Sequence, residues 1–254
     1  MNKENQKNKG KLLTTLCLLV CMAVMLVAVA GCAGRSEETK ETTEANGSVE
    51  ATAPAVEETE EASNSAIAVL QDGIEVLSIG SYTGLYMEDG SDEVLSGILM
   101  MKVTNTGSTP IQYAQITMTV GEETAEFTLS TLNPGATMVV LEQNRMAYDS
   151  AVDYASAEIT GKNVALFREE MTLHEDKLEI QILDGAINVK NISGMDIDGN
   201  VVIYYKNVAA GVYYGGITYR ITLEGGLKAD EVRQLMASHF SDTGSEIMFV
   251  TIAN

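Results

Sequence analysis

The stretch Ile116-Thr-Met-Thr-Val120 decides the fold class of this chain. Apolar and polar residues alternate along it, and period-two alternation predicts a strand with one buried and one solvated face. Residues 127–130 (FTLS) and 219–223 (YRITL) repeat the pattern. The best helix candidate, residues 229–237, is equally compatible with a strand over 232–236. The sequence therefore predicts an all-β protein.

An internal repeat divides this β region in two. Val103-Thr-Asn105 matches Val189-Lys-Asn191, 86 positions later, and residues 132–135 (LNPG) match 227–230 (LKAD), 95 positions later. In each copy an asparagine follows a strand, where Asn and Gly tolerate left-handed turn conformations. The offset between matching positions grows from 86 to 95, which predicts an insertion of about nine residues in the second copy, near Asn207–Gly216. Two unrelated hairpins would give a similar match, and that alternative stays open.

Each half has the strand and turn spacing of a small sandwich. Residues 66–165 and 176–254 each hold roughly six or seven short strands separated by regular turn signals. We expect two tandem immunoglobulin-like or fibronectin-like β-sandwiches, separate from each other and joined near residues 168–176.

The N-terminus has the organisation of an export signal. Lys3, Lys7, Lys9 and Lys11 precede an uncharged run over residues 12–30. A basic start followed by an apolar run is typical of a secretory signal peptide, here residues 1–31. A span needs about 20 apolar residues, so an uncleaved membrane anchor is the alternative.

The end of that run resembles the lipobox of bacterial lipoproteins. The residues that carry the resemblance are Val29, Ala30, Gly31 and Cys32, an aliphatic residue and two small residues before a cysteine. The resemblance implies that Cys32 becomes the mature N-terminus and takes a thioether-linked diacylglycerol and a further acyl chain such as palmitate. Two acyl chains give stable anchoring. We therefore expect an extracytoplasmic protein held by lipid on the outer face of the membrane of a Gram-positive cell.

Cysteine usage narrows the chemistry of the mature chain. Cys17 and Cys21 would leave with the signal, and Cys32 would carry lipid, so no free thiol would remain. This excludes a disulfide scaffold, a cysteine nucleophile and a thiolate metal site.

Residues 32–65 have the composition of a tether. Residues 33–65 contain nine glutamates against Arg35 and Lys40, and they lack large apolar side chains other than two valines. Such a segment cannot bury enough surface to offset the entropy of ordering it, so we expect a disordered acidic tether. The whole chain carries a formal net charge of -20, which argues against nucleic-acid binding.

Candidate sites for chemistry are weak. His174 and His239 lie in different halves, and a triad of Ser238, His239 and Asp242 would join near neighbours in sequence, which rarely have the required geometry. The acidic residues 87–93 and 196–200 predict solvated turns, with calcium binding as the alternative, although neither has EF-hand spacing. We predict no catalytic residue, no metal site and no cofactor.

Tyrosines around the expected insertion are the candidate binding residues. Tyr213 and Tyr214 fall inside it, next to Gly215 and Gly216. Tyrosine combined with glycine is typical of adaptable binding surfaces. We expect one of the two rings to contact a cell-wall glycan or a surface protein, although tyrosines in strands more often fill a core.

A second resemblance concerns the mature region. Residues 103–108 (VTNTGS) and 204–208 (YYKNV) resemble the FxLYD-type β-sandwich domains of extracytoplasmic bacterial lipoproteins, although the Phe-x-Leu-Tyr-Asp signature is absent. The resemblance implies a sandwich with no assigned catalysis. We expect a non-catalytic binding or scaffold module at the cell surface; the alternative is a wall-acting hydrolase or an accessory subunit of an export or transport system.

Overall fold

The protein is an all-β sandwich, as the alternating sequence predicts. A computed structural model describes residues 66–91 and 93–253, together with the main chain of residues 55–58. Within these residues the helical segments are two 3-10 turns, Gln71–Gly73 and Tyr154–Ser156, and neither is long or apolar enough to cross a membrane. The strands are β1 (Ala55–Glu58), β2 (Ala68–Val69), β3 (Ile74–Leu85), β4 (Val94–Asn105), β5 (Ile111–Val120), β6 (Glu123–Leu132), β7 (Thr137–Leu141), β8 (Glu158–Leu166), β9 (Leu178–Leu183), β10 (Ala186–Asn191), β11 (Val201–Ala209), β12 (Val212–Leu223), β13 (Val232–Leu235) and β14 (Ser245–Ile252).

The strands form three sheets. The large sheet has the order β1-β3-β4-β7-β12-β11-β14, and β2 pairs with β3. The two small sheets have the orders β6-β5-β8 and β13-β10-β9. The candidate helix at residues 229–237 is therefore a strand, β13, over Val232–Leu235.

The sheet orders show the same topology twice. In repeat 1 (β3 to β8), β3-β4-β7 lies in one sheet and β6-β5-β8 in the other. In repeat 2 (β9 to β14), β9-β10-β13 lies in one sheet and β12-β11-β14 in the other. Each strand of repeat 1 thus has a counterpart with the same neighbours in repeat 2.

The alternating residues face the core as their period predicts. Ile116 and Met118 of β5 pair with Phe127 and Ala125 of β6, and all four are at most 2% exposed. They pack against buried residues of β3, β4 and β7. A second core forms between the sheets of repeat 2, around Ile187, Val189, Ile203 and Val250. Burial of each such side chain contributes about 1.5–3 kcal/mol relative to exposure.

Each repeat has a buried asparagine at the same position, which binds two main-chain carbonyl oxygens from other parts of that repeat. The side-chain amide of Asn105 donates to the carbonyl oxygens of Thr109, at 3.0 Å, and Leu132, at 2.9 Å. Asn191 donates to Met195, at 2.7 Å, and Leu227, at 3.1 Å. These asparagines are the residues on which the repeat was recognised, and both are fully buried.

The two repeats are joined edge to edge, in contrast to the expected separate sandwiches. Val212–Tyr214 of β12 pair in parallel with Thr137–Val139 of β7, so one continuous sheet runs through both repeats. Residues 51–254 accordingly form one compact unit. Sandwich edges expose unpaired main-chain groups, and mutual pairing removes that exposure at this edge.

One strand lies within the expected tether. Ala55–Glu58 pairs antiparallel with Gly80–Thr83 of β3. The expectation of disorder over all of residues 32–65 is therefore wrong for these four residues, because β3 offers a free edge to which a short extended segment can add. The predicted signal peptide, residues 1–31, and the predicted lipobox, Val29 to Cys32, lie outside the described residues.

Candidate functional site: the joint between the repeats

The joint is formed by a hairpin that is long only in repeat 2. The predicted insertion at Asn207–Gly216 extends the β11–β12 hairpin, in which Asn207 pairs with Tyr214 and Ala209 with Val212. Ala210 and Gly211 form the turn, with φ of 49° and 78°. Two-residue hairpin turns with positive φ at both positions match the twist of the strands. The lengthened arm is the segment that reaches β7.

The hairpin buries Tyr213 and places Tyr214 on the opposite face of the sheet. Tyr213 is 6% exposed and packs in the core of repeat 1. Tyr214 faces the other side of the sheet, where it is half-buried against a cluster that includes Tyr82 and Tyr86. Burial, together with the nearby Glu246 carboxylate, raises the pKa of Tyr213 to about 12. The expectation that one of these rings projects from a loop is wrong for Tyr213, because β7 converts the loop into a paired strand; for Tyr214 contact with a ligand stays a prediction.

Two glycines allow the hairpin to approach repeat 1 closely. A Cβ on Gly216 would overlap the carbonyl oxygen of Thr128, and one on Gly215, whose φ is 82°, would lie 2.8 Å from the Cβ of Met87. A side chain at either position would force the two repeats apart. The glycines therefore have a packing role in addition to allowing the bend that the sequence suggested.

Glu88 binds the hairpin from the side of repeat 1. Its carboxylate accepts hydrogen bonds from the N–H of Gly216 at 2.8 and 2.9 Å, and from the N–H of Leu141 on β7 at 2.9 Å. Burial raises the pKa of Glu88, while these N–H donors and Lys206 oppose the rise. The interpretation of residues 87–93 as a fully solvated turn is wrong at Glu88, because the turn folds back against β7 and β12.

Lys206 binds the same segment from repeat 2. It is fully buried, and its Nζ donates to the carbonyl oxygen of Ile217 at 2.6 Å and to those of Gly215 and Gly216 at 3.4 Å. Burial lowers the pKa of Lys206 to about 7, and the charge of Glu88 partly offsets this. Glu88 thus accepts from a main-chain N–H of this segment, while Lys206 donates to its main-chain carbonyl oxygens.

Further polar contacts attach the β3–β4 loop to the end of β7. The Tyr86 hydroxyl donates to the carbonyl oxygens of Glu142 and Gln143, both at 2.9 Å. Arg145 lies 4.8 Å from the centre of the Tyr86 ring and forms ion pairs with Asp89, at 2.8 Å, and Glu93, at 2.6 Å. These exposed ion pairs are individually weak, but the loop that carries Glu88 is held at both of its ends.

A fully buried carboxylate shapes the chain after β7. Glu142 accepts from the N–H groups of Asn144, at 2.7 Å, Met146, at 2.8 Å, and Glu126, at 3.2 Å. Unpaired buried charges are costly, and main-chain donors are a common solution. Like Glu88 and Lys206, this group is used to hold main chain in place.

One cavity opens beside these elements, at the end of repeat 1. It has a volume of about 250 Å³ and lies between the β5–β6 hairpin and the chain after β7. Most of its lining residues are apolar, among them Met118, Val120 and Tyr154, and two carboxylates, Glu123 and Asp149, also line it. Asp149 also accepts a hydrogen bond from the N–H of Ala151 at 2.9 Å.

Neither histidine candidate lines the cavity, and His239 lies beside the β3–β4 loop, where a Cβ on Gly90 would be 3.8 Å from its Nε2. Asp242 accepts from the N–H of Gly185 at 2.7 Å, which directs its carboxylate to the β9–β10 turn. The ring of His239 stacks on Tyr219 at 4.8 Å, and Ser238 presents its carbonyl oxygen to Tyr205. His174 lies in the connection between β8 and β9. The structure thus directs the members of the considered triad to different partners.

The acidic turns show no convergent ligand set. In the residues that the structure describes, no three histidine, cysteine or carboxylate side chains come close enough to share a metal ion. Asp196 instead pairs with Lys228 at 2.8 Å and accepts from the N–H of Ala229 at 3.0 Å.

Comparison of the chain with protein-family models, with curated proteins and with solved structures found no match. The resemblances to lipoproteins and to FxLYD-type domains therefore stay predictions.

Sequence reasoning missed three charged groups that hold the main chain, the fully buried Lys206 and Glu142 and the half-buried Glu88. The burial of Lys206 could have been predicted, because Lys206 is the only charged residue in the mainly apolar run 201–210. Glu88 and Glu142 gave no such signal, since carboxylates are abundant and their partners are main-chain groups distant in sequence.

Proposed function

We propose that this chain is a lipid-anchored extracytoplasmic protein whose two repeats act together as one non-catalytic binding or scaffold module. The observation that carries the proposal is the joint. Tyr213 and Glu88 bind the β11–β12 hairpin of repeat 2 to repeat 1, and Lys206 stabilises that hairpin by donating to its own carbonyl oxygens. A pair of sandwiches that share one sheet suits presentation of surfaces at a distance from a membrane.

The use of the buried charges also supports a structural role. Catalytic sites place ionisable groups of shifted pKa in clefts that a substrate can enter. Lys206 and Glu142 are instead fully enclosed and engaged with main-chain groups. Their positions favour a scaffold over a hydrolase.

The anchor is tested by changing the lipobox cysteine. Cys32→Ala, expressed in a Gram-positive host, is expected to be released or misprocessed, because the acyl chains that retain the protein cannot be attached. Cys21→Ala is the matched control, since it changes a cysteine inside the apolar run and leaves the lipobox intact. A Cys32→Ala protein that stays in the membrane fraction at wild-type mobility would contradict the proposal and favour an uncleaved anchor.

Binding is tested by pull-down with purified cell wall and, separately, with membrane extract. The module is expected to retain a component of one of them. A variant with Tyr214→Ala tests the remaining tyrosine candidate; undiminished binding by a folded variant would remove Tyr214 from the binding surface.

The cavity provides a specific reason to keep the hydrolase as second candidate. Glu123 and Asp149 both line it, and most glycoside hydrolases use a pair of carboxyl groups for catalysis. If the chain is a wall hydrolase, purified protein will release soluble fragments from cell wall, and Glu123→Gln with Asp149→Asn will abolish the release. Absence of release by the wild type would remove this alternative.

A further inference from the structure

The β11–β12 hairpin covers the β7 edge of repeat 1 and part of the outer face of the same sheet. Besides pairing with β7, it places Val212 and Tyr214 over the outer side of the sheet. Beneath them Val139 and Leu141 are each 1% exposed and Met100 is fully buried. The added strand thus closes the edge of β7, and its side chains cover the apolar face together with Tyr82, Tyr86 and Leu95.

The same surface of repeat 2 is uncovered along β13, although Ala186, the counterpart of Met100, is fully buried. The counterpart of β7 is β13, which pairs with β10 and forms the end of its sheet in the described structure. The counterpart of Leu141 is Met236, which is 72% exposed, and Val232 at the start of β13 is 57% exposed. Leu183, which pairs with Ala186 on the same face, is 54% exposed. Exposed apolar residues beside an open edge are characteristic of a strand-addition site.

Local charge permits a second copy to approach here. The chain as a whole carries a net charge of -20, which repels like chains. Strands β9, β10 and β13 carry Glu179 against Lys190 and Arg233, while Asp230 and Glu231 immediately precede β13 and Glu231 pairs with Arg233, so this region is close to neutral. Two copies therefore meet little electrostatic repulsion at this sheet.

The residues of the edge are also complementary to themselves. On the exposed face of β13, Gln234 lies midway between Val232 and Met236. In an antiparallel pair related by a two-fold axis at Gln234, each Val232 faces the Met236 of the other copy, and the two glutamines face each other. We propose that two copies of this chain associate through β13, joining their β9-β10-β13 sheets into one six-stranded sheet.

The hairpin itself does not provide a route to self-association. In each copy the β11–β12 hairpin is engaged by its own β7. The corresponding β5–β6 hairpin turns at Gly121 and lacks the extension that reaches a neighbouring edge. Symmetric pairing of β13 is the arrangement that closes the edge in both copies at once.

Disulfide trapping in the full chain tests the proposal. The two-fold pairing puts the two Cα atoms of residue 234 about 4.5–5.5 Å apart, within the range of about 4.4–6.8 Å that a disulfide spans. Gln234→Cys, oxidised in intact host cells, is expected to give a reducible product of twice the chain's mass. Wild type reports the background from the native cysteines.

Gln181→Cys on β9 is the matched control. It changes the same residue type on the same sheet, but the proposed dimer separates its two copies by five strand spacings, roughly 24 Å. The dimer band is expected to be several-fold weaker for Gln181→Cys, and Val232→Glu is expected to reduce trapping through Gln234→Cys. Equal trapping at both positions, a product of another mass, trapping unaffected by Val232→Glu, or only monomer at Gln234→Cys would each overturn the proposal.

Discussion

Asn105 and Asn191 stand 86 positions apart and make the same hydrogen bonds in their two repeats. The correspondence extends to the main chain. Asn105 donates its N–H to Ala136 and accepts from Gly135, while Asn191 donates to Glu231 and accepts from Asp230. Each partner in repeat 2 lies 95 positions after its counterpart, the offset on which the insertion was inferred. The match in bonding, added to the match in topology, favours a true tandem repeat over two unrelated hairpins.

The asparagines should be equally important to both repeats. Asn105→Ala and Asn191→Ala each leave buried carbonyl oxygens without a donor. A buried unsatisfied group costs about 1–3 kcal/mol, so we expect each variant to lose at least that much free energy of unfolding in urea. Asn188→Ala on β10, whose side chain points to the outer face, is the control and should lose less than about 1 kcal/mol. Loss in only one of the two asparagine variants would contradict equivalent roles.

The β pairing within each repeat was predictable because it is local. Hairpins such as β5–β6 follow from alternation on either side of a short turn, as with Ile116 opposite Phe127. The insertion was also found from offsets alone. The strand with which the inserted segment pairs could not be predicted, because pairing of Tyr213 with Met138 depends on a parallel contact between strands distant in sequence. Single-sequence periodicity identifies strands but not their long-range partners, and the burial of Glu88 and Lys206 follows from that contact.

Gly216 should be essential to the joint. Gly216→Ala places a methyl group against the carbonyl oxygen of Thr128, and overpacking of this kind costs about 1–3 kcal/mol or more. We expect faster amide hydrogen exchange in Thr137–Leu141, since β7 loses β12 as a neighbour and stays paired with β4 alone. Gly211→Ala, in the same hairpin with φ of 78° and open space around its Cβ, should cost only about 1–2 kcal/mol of backbone strain and leave β7 protected. Equal exchange in the two variants would argue against close packing at Gly216.

Lys206 should make stability depend on pH. Its pKa is about 7 in the folded protein against an ordinary value of 10.5. Between these values the unfolded chain binds a proton that the folded chain does not, so the free energy of unfolding rises with pH. The rise is at most about 1.4 kcal/mol per pH unit. Urea unfolding at a series of pH values from 7 to 10 should show it in the wild type and in Lys162→Met, an exposed control. The same slope in Lys206→Met would contradict this assignment.

Tyr213 should act as a core residue. Tyr213→Ala removes a ring that is 6% exposed, and truncation of a buried aromatic residue costs about 3–5 kcal/mol. Calorimetry should therefore show a strongly lowered Tm. Tyr148→Ala, which removes a ring that is only partly buried, should have a smaller effect. A Tyr213→Ala protein with wild-type Tm and reduced wall binding would restore the exposed-ring hypothesis.

The most direct test of the central claim is whether the two repeats unfold together. Hydrogen exchange across a urea series, followed by mass spectrometry, can monitor β5 of repeat 1 and β10 of repeat 2 in the same unmodified chain. Because β7 and β12 share a sheet and Glu88 and Lys206 hold the hairpin between them, the account predicts coincident midpoints for the two strands. Clearly separate midpoints, with one repeat folded while the other exchanges freely, would contradict a fused module.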